Sequence, residues 1–255
     1  GKLMQYRDYG NEGYKVSAFG MGCMRVPHVK DEHGNKIIQR EEAIKMIRYA
    51  ADHGVTYFDS ARMYFNGDCD ALLGEALAGG YREKVKVVSK IPPRFVNSEE
   101  EFNNTLDDML KKLQTDYLDV LLAHDMNREA WNRFQQMGMY QWMEKAKQAG
   151  KIKAIGFSFH DDVDLFREMV DAYPWAMAQI QMNILDVNYQ ATVEGMKYAA
   201  SKGLAIVIME PLRGGGLANA PEPVQKIYDA YPVKRSPVEW ALRFVYNFPE
   251  VSCTP

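Results

Sequence analysis

The 255-residue sequence predicts an α/β protein folded as a (β/α)8 barrel, the TIM-barrel arrangement, ending after its eighth strand. Three observations carry this expectation. Short apolar runs alternate with amphipathic helical patterns along the chain; eight such runs can be counted; and no Ser-, Pro- or Gly-rich linker divides them, so residues 1–255 read as a single barrel domain. Strands alternating with helices imply a parallel sheet with right-handed crossovers, and eight strands in about 250 residues favour closure. A doubly wound sheet is the alternative, with GMGCMR at 20–25 as half of a GxGxxG fingerprint. Arg25 stands where the third glycine belongs, however, and no helical pattern begins until after Gln39, too long a loop for a dinucleotide turn.

The eight expected strands are Val16 to Gly22, Thr56 to Asp59, Val85 to Lys90, Leu118 to His124, Lys153 to Ser158, Met177 to Gln181, Ala205 to Met209 and Val251 to Thr254. Helices between them announce their ends. Ala43, Ile44, Ile47, Ala50 and Ala51 form one apolar stripe, closed by Gly54. Ser98 with Glu101 makes a capping box, after which Phe102, Leu106, Met109, Leu110 and Leu113 share a face. Gly150 and Gly203 stand where a helix stop tolerates positive φ. Ser236, Pro237 and Glu239 read as cap, first helical residue and box partner of a last helix, with Val238, Ala241, Leu242 and Val245 inward.

Composition narrows the function classes. With 31 basic and 34 acidic residues the net charge is -3, and no basic run exceeds two residues, so neither nucleic acid nor an anionic membrane surface is expected as a partner. Cys23, Cys69 and Cys253 lie far apart without a CxxC pair, which argues against a zinc site or disulfide framework and for a reducing, cytoplasmic setting. The longest apolar stretch, Leu204 to Met209, is far below the ~20 residues a membrane span needs, and the polar start is not a signal peptide. The chain opens at Gly1 without an initiator Met, as a processed or trimmed form would. No feature specifies an oligomeric state.

In such a barrel the active site is built at the C-terminal ends of the strands. Those ends offer Gly22, Cys23 and Met24; Asp59 with Tyr64 five residues on; then Lys90, His124, Ser158, Gln181 and finally Glu210 after Met209. Asp59 and Lys90, ending neighbouring strands, invite an ion pair. Taken singly, each has an ordinary structural reading: a buried pair, a half-buried tyrosine, a core histidine. Trp131 and Phe134 could line a pocket, but an amphipathic turn packing on the barrel suits them as well.

The chain resembles the aldo-keto reductase superfamily in FGMGCMR at 19–25, GVTYFDSARMY at 54–64, VVSKIPP at 87–93, LQTDYLDVLLAHDMN at 113–127, GKIKAIGFSFHD at 150–161 and MEPLRGGGL at 209–217. The resemblance implies a hydride transfer from a reduced nicotinamide to the carbonyl of a small aldehyde or ketone, with a catalytic set of Asp59, Tyr64, Lys90 and His124. It further implies NADP, with NAD possible as the alternative. Ser158 and Gln181 would hold the carboxamide; Gly22, Cys23 and Met24 would touch the ribose through backbone. Glu210, Pro211, Leu212, Gly214 and Gly216 would follow the pyrophosphate, and Met209 replaces the aromatic residue on which the nicotinamide stacks in many relatives. Phe159 stands in place of the family's usual Asn after the Ser. The family's closing helix and 2′-phosphate segment fall outside the 255 residues. The MEPLRGG variant resembles relatives with a C-terminal iron-sulfur extension, so a cluster is expected only in a chain that carries one. The rival expectation is a nucleotide-binding regulatory or scaffold subunit without turnover.

Overall fold

The computed structural model describes residues 4–23, 26–61, 68–181, 189–209 and 248–255. Eight strands form one all-parallel curved sheet: β3 (Met21–Gly22), β6 (Tyr57–Asp59), β7 (Lys86–Ile91), β8 (Val120–Met126), β9 (Ile155–Phe159), β10 (Met177–Gln181), β11 (Ala205–Met209) and β12 (Val251–Cys253). They follow one another in chain order across the sheet, as successive right-handed crossovers require. The two ends meet. Phe19, just before β3, bridges in parallel to Thr254, just after β12, with Gly20 N donating to Thr254 O at 3.1 Å and Thr254 N to Ala18 O at 2.9 Å.

The crossover helices are α1 (Arg40–Asp52), α2 (Asp68–Ala76), α3 (Glu99–Leu113), the pair α4 (Arg128–Met137) and α5 (Met139–Gln148), α6 (Val163–Ala172) and α7 (Tyr189–Ser201). Their expected stripes are the buried ones. In α3, Phe102, Leu106, Met109, Leu110 and Leu113 face the sheet, and Ser98 Oγ accepts from Glu101 N at 3.1 Å while Glu101 Oε2 accepts from Asn97 N at 2.7 Å. In α1, Ala43, Ile47 and Ala50 are buried with Met46, whereas Ile44 and Ala51 are only partly covered. Gly54, Gly150 and Gly203 all take positive φ. The helix expected from Ser236 lies outside the described residues.

The first expected strand divides in two. Val16 belongs to β2 (Lys15–Ser17), which pairs antiparallel with β1 (Tyr6–Asp8) in a hairpin under the barrel, and only Met21 and Gly22 join the wall. The break falls after Ser17, whose Oγ donates to Phe19 O at 2.5 Å and accepts from Thr56 N at 3.0 Å, turning the chain. This hairpin is a floor: Tyr9 is fully buried, stacks on Tyr14 with centroids 5.6 Å apart, and shares a 3.1 Å hydroxyl contact with Tyr57 of β6. Gly10, at φ +53, lets the floor press on the wall, since a Cβ there would sit 2.4 Å from Ala205 N. A second hairpin, β4 (His28–Lys30) with β5 (Lys36–Ile38), fills the long segment before α1.

Two apolar layers result. One lies between sheet and helices; the other fills the cylinder with Tyr57, Val88, Val120, Leu122, Met177, Ala205, Val207 and Cys253 from the wall strands.

Candidate active site at the barrel mouth

Residues pointing into the cylinder recur every second position along each wall strand, as the pleat demands. Continuing that alternation from the buried interior residues Tyr57, Val88, Leu122, Ala154 and Val207 to the strand ends brings Asp59, Lys90, His124, Ser158 and Met209 to one rim. Asp59 pairs in register with Val88, and Lys90 with Leu122, so each candidate residue stands one inward position above the one before.

The centre of this rim is a buried ion pair. Lys90 has 0% of its surface exposed and its Nζ lies 2.8 Å from both carboxylate oxygens of Asp59. Burial raises the Asp59 carboxyl above its usual range, and the Lys90 ammonium opposes that rise. Two charges in an apolar cylinder are sustained because they are paired, which fixes the ammonium within the interior.

His124 comes next around the wall. It is buried, and that burial, with the charge of Lys90 second, pushes its imidazole down to about 3, so the ring is neutral at physiological pH. A neutral imidazole carries one N–H donor and one acceptor. β8 does not stop at His124 as the sequence suggested. It runs two residues further to Met126, with a register break after Ala123 where it meets β9. Asp125, at the break, adopts left-handed φ 58. Its backbone N–H donates to Ser158 Oγ at 2.8 Å. Its carboxylate Oδ1 lies 3.4 Å from His124 Nε2 and 3.1 Å from His160 Nε2, with Arg94 Nη1 3.9 Å from Oδ2. The hydrogen bond from His160 is the main reason the Asp125 carboxyl is held below its usual range.

The aldo/keto reductase family model matches residues 19–253. The chain belongs to the aldo/keto reductase family. The soybean (Glycine max) protein named "Probable aldo-keto reductase 1" is 26% identical over 214 residues, 81% of this chain and 59% of that protein, so the chain spans well under two thirds of its length. Among solved structures, an aldo-keto reductase from Bacillus halodurans in its holo form superposes with a TM-score of 0.73 at 22% identity, covering 98% of this chain and 85% of the other. An aldo-keto reductase from Klebsiella pneumoniae in complex with NADPH gives 0.73 at 23% identity, covering 99% and 84%. At those identities the structures speak for the shared fold.

In this family member the barrel brings Asp59, Lys90, His124 and Ser158 together, with Gly22 beside them: Gly22 pairs with Asp59. Cys23 is buried with its Sγ donating to Cys69 O at 3.7 Å, which turns the thiol toward α2. Met209 ends β11 half-buried, its backbone in register with Gln181. Tyr64, Met24, Glu210, Pro211, Leu212, Gly214 and Gly216 lie outside the described residues.

Sequence reasoning missed Gln179. It is 1% exposed, stands in register between Ser158 of β9 and Val207 of β11, and its Oε1 has no hydrogen-bond partner among the described residues. A buried amide oxygen left in that state costs free energy unless something donates to it. Trp131 and Phe134, by contrast, are packing residues: on α4 they stack with centroids 5.6 Å apart against Tyr173 and Trp175, behind the sheet. Among the described residues no three His, Cys, Asp or Glu side chains converge as a metal site, and no helix is long and apolar enough to cross a membrane.

Proposed function

We propose that this aldo/keto reductase reduces small aldehydes or ketones with a reduced nicotinamide cofactor, NADP first and NAD second, with Tyr64 as general acid. The observation that carries the reading is the fully buried Lys90–Asp59 pair at the mouth beside neutral His124. A free phenol, with a pKa of about 10, holds its proton too tightly to be a good acid near neutrality. An ammonium beside it stabilises the phenolate and lowers that value, and Asp59 keeps Lys90 charged and directed. Tyr64 would give its proton to the carbonyl oxygen, and the His124 N–H would donate to the same oxygen as negative charge develops there.

The residues present fit a nicotinamide carboxamide. Gln179 Oε1 lacks a donor among the described residues, and a carboxamide N–H would supply one. Ser158 Oγ accepts from Asp125 N and keeps its own hydrogen to give to the carboxamide oxygen. When bound, the reduced nicotinamide supplies the hydride. Gln179 therefore joins Ser158 and Gln181 as a candidate carboxamide partner, with the backbone of Gly22, Cys23 and Met24 toward the ribose. Glu210, Pro211, Leu212, Gly214 and Gly216 would lie along the pyrophosphate and Met209 against the ring. We place the enzyme in the cytoplasm, as one barrel domain over residues 1–255, in keeping with three free, buried thiols.

Tyr64→Phe tests the reading. The variant is expected to bind cofactor as before while its oxidation of NADPH with a panel of carbonyls falls about 10²- to 10⁴-fold. Undiminished turnover in Tyr64→Phe would refute the acid assignment. A wild-type protein that binds NADPH tightly and turns over no carbonyl would favour the regulatory or scaffold reading.

A further inference from the structure

We infer that Asp125 is a positioning residue for His124, clamped by His160 and by its own backbone so that one carboxylate oxygen fixes the orientation of the buried imidazole. The inference rests on the reductase reading for its catalytic consequence, but the geometry stands apart from it. Asp125 follows His124 in the chain and would ordinarily point out of the strand on the opposite side. The register break and the left-handed φ of 58 swing its carboxylate back toward the ring. Left-handed backbone in a non-glycine residue is strained, and such strain persists where surrounding contacts enforce it.

Those contacts are present. The Asp125 N–H is held by Ser158 Oγ at 2.8 Å, and its Oδ1 by His160 Nε2 at 3.1 Å, with the guanidinium of Arg94 beyond Oδ2 at 3.9 Å. The same Oδ1 is 3.4 Å from His124 Nε2. The negative charge of the carboxylate at that distance favours the tautomer of the neutral ring with its proton on Nε2. At 3.4 Å the contact is electrostatic and longer than an ordinary hydrogen bond, so it orients the Nε2 proton without keeping it from a substrate carbonyl oxygen. Among the described residues, the titratable and charged groups facing His124 are Lys90 with Asp59 from below, and Asp125 with His160 and Arg94 from the rim.

Two variants separate positioning from mere structure. Asp125→Gly removes the carboxylate yet suits φ 58, so the backbone keeps its shape; Asp125→Asn tolerates the same φ and retains one acceptor oxygen. In the cofactor-free chain, the His124 Nε2–H proton seen by nitrogen-resolved NMR should move upfield in Asp125→Gly and stay near its wild-type position in Asp125→Asn. With NADPH and a small neutral aldehyde, kcat should fall about 10- to 100-fold in Asp125→Gly with unchanged cofactor affinity, and Asp125→Asn should recover most of that loss. A His124 resonance unmoved by Asp125→Gly overturns the inference. If wild-type chain shows no carbonyl reduction, the reductase reading falls, and the NMR comparison still decides the positioning role.

Discussion

Replacing Lys90 by Met is the sharpest perturbation of the mouth. The ammonium is completely enclosed and touches both Asp59 oxygens at 2.8 Å, so its removal strands a carboxyl that is itself buried. Breaking one side of a buried pair in this way costs about 3–5 kcal/mol, a large part of the roughly 5–15 kcal/mol that holds a typical domain together. Asp59 can relieve the loss by taking up a proton, so the deficit should shrink as pH falls toward the carboxyl's own titration. Removing both charges in Asp59→Ala/Lys90→Met eliminates the stranded group, and the double variant should lose less stability than the two single losses summed. Urea unfolding followed by circular dichroism, at neutral and mildly acidic pH, gives all four corners of the cycle. Single-variant losses that simply add in the double variant, to within about 0.5 kcal/mol, would refute the argument, because additivity means the pair does not interact.

A buried histidine pushed down to about 3 binds its proton less readily folded than unfolded, so stability should fall as pH drops from about 6.5 toward 3. At about 1.4 kcal/mol per pH unit the ceiling is about 5 kcal/mol, and His124→Gln should flatten that slope in pH-dependent unfolding. Gly74→Ala tests sterics against helix propensity: propensity favours Ala by about 1 kcal/mol, but its Cβ would lie 2.3 Å from Lys112 O, so a net loss of about 1–3 kcal/mol in thermal unfolding is expected. Ser98→Ala, which deletes the acceptor for Glu101 N, should cost about 1 kcal/mol without changing cofactor affinity.

The wall strands and the helices α1 and α3 were legible because each buries an apolar stretch or stripe that must be written into consecutive residues. The two hairpins were not. β1 and β4 are three residues each, polar and partly exposed, and carry no such pattern. The second left one usable signal, the Asp31 to Asn35 turn, where Asp31 Oδ1 accepts from His33 N and Asn35 N and Gly34 takes φ 80. At the mouth, Asp59, Lys90, His124 and Ser158 could be read from strand ends alone. Gln179 could not: it sits two residues inside its strand, and only its pairing with Ser158 shows that the two stand level. Asp125 was hidden for a different reason. A bulge changes where a side chain points without changing the order of residues.

The tyrosine-sealed hairpin beneath the wall makes the described barrel a cup instead of a tube. Tyr9 and Tyr57, meeting at 3.1 Å on the lower side, lie fully buried beneath the Lys90–Asp59 pair and shield it from water there. Among the described residues, the rim is therefore the side from which that ion pair can be approached.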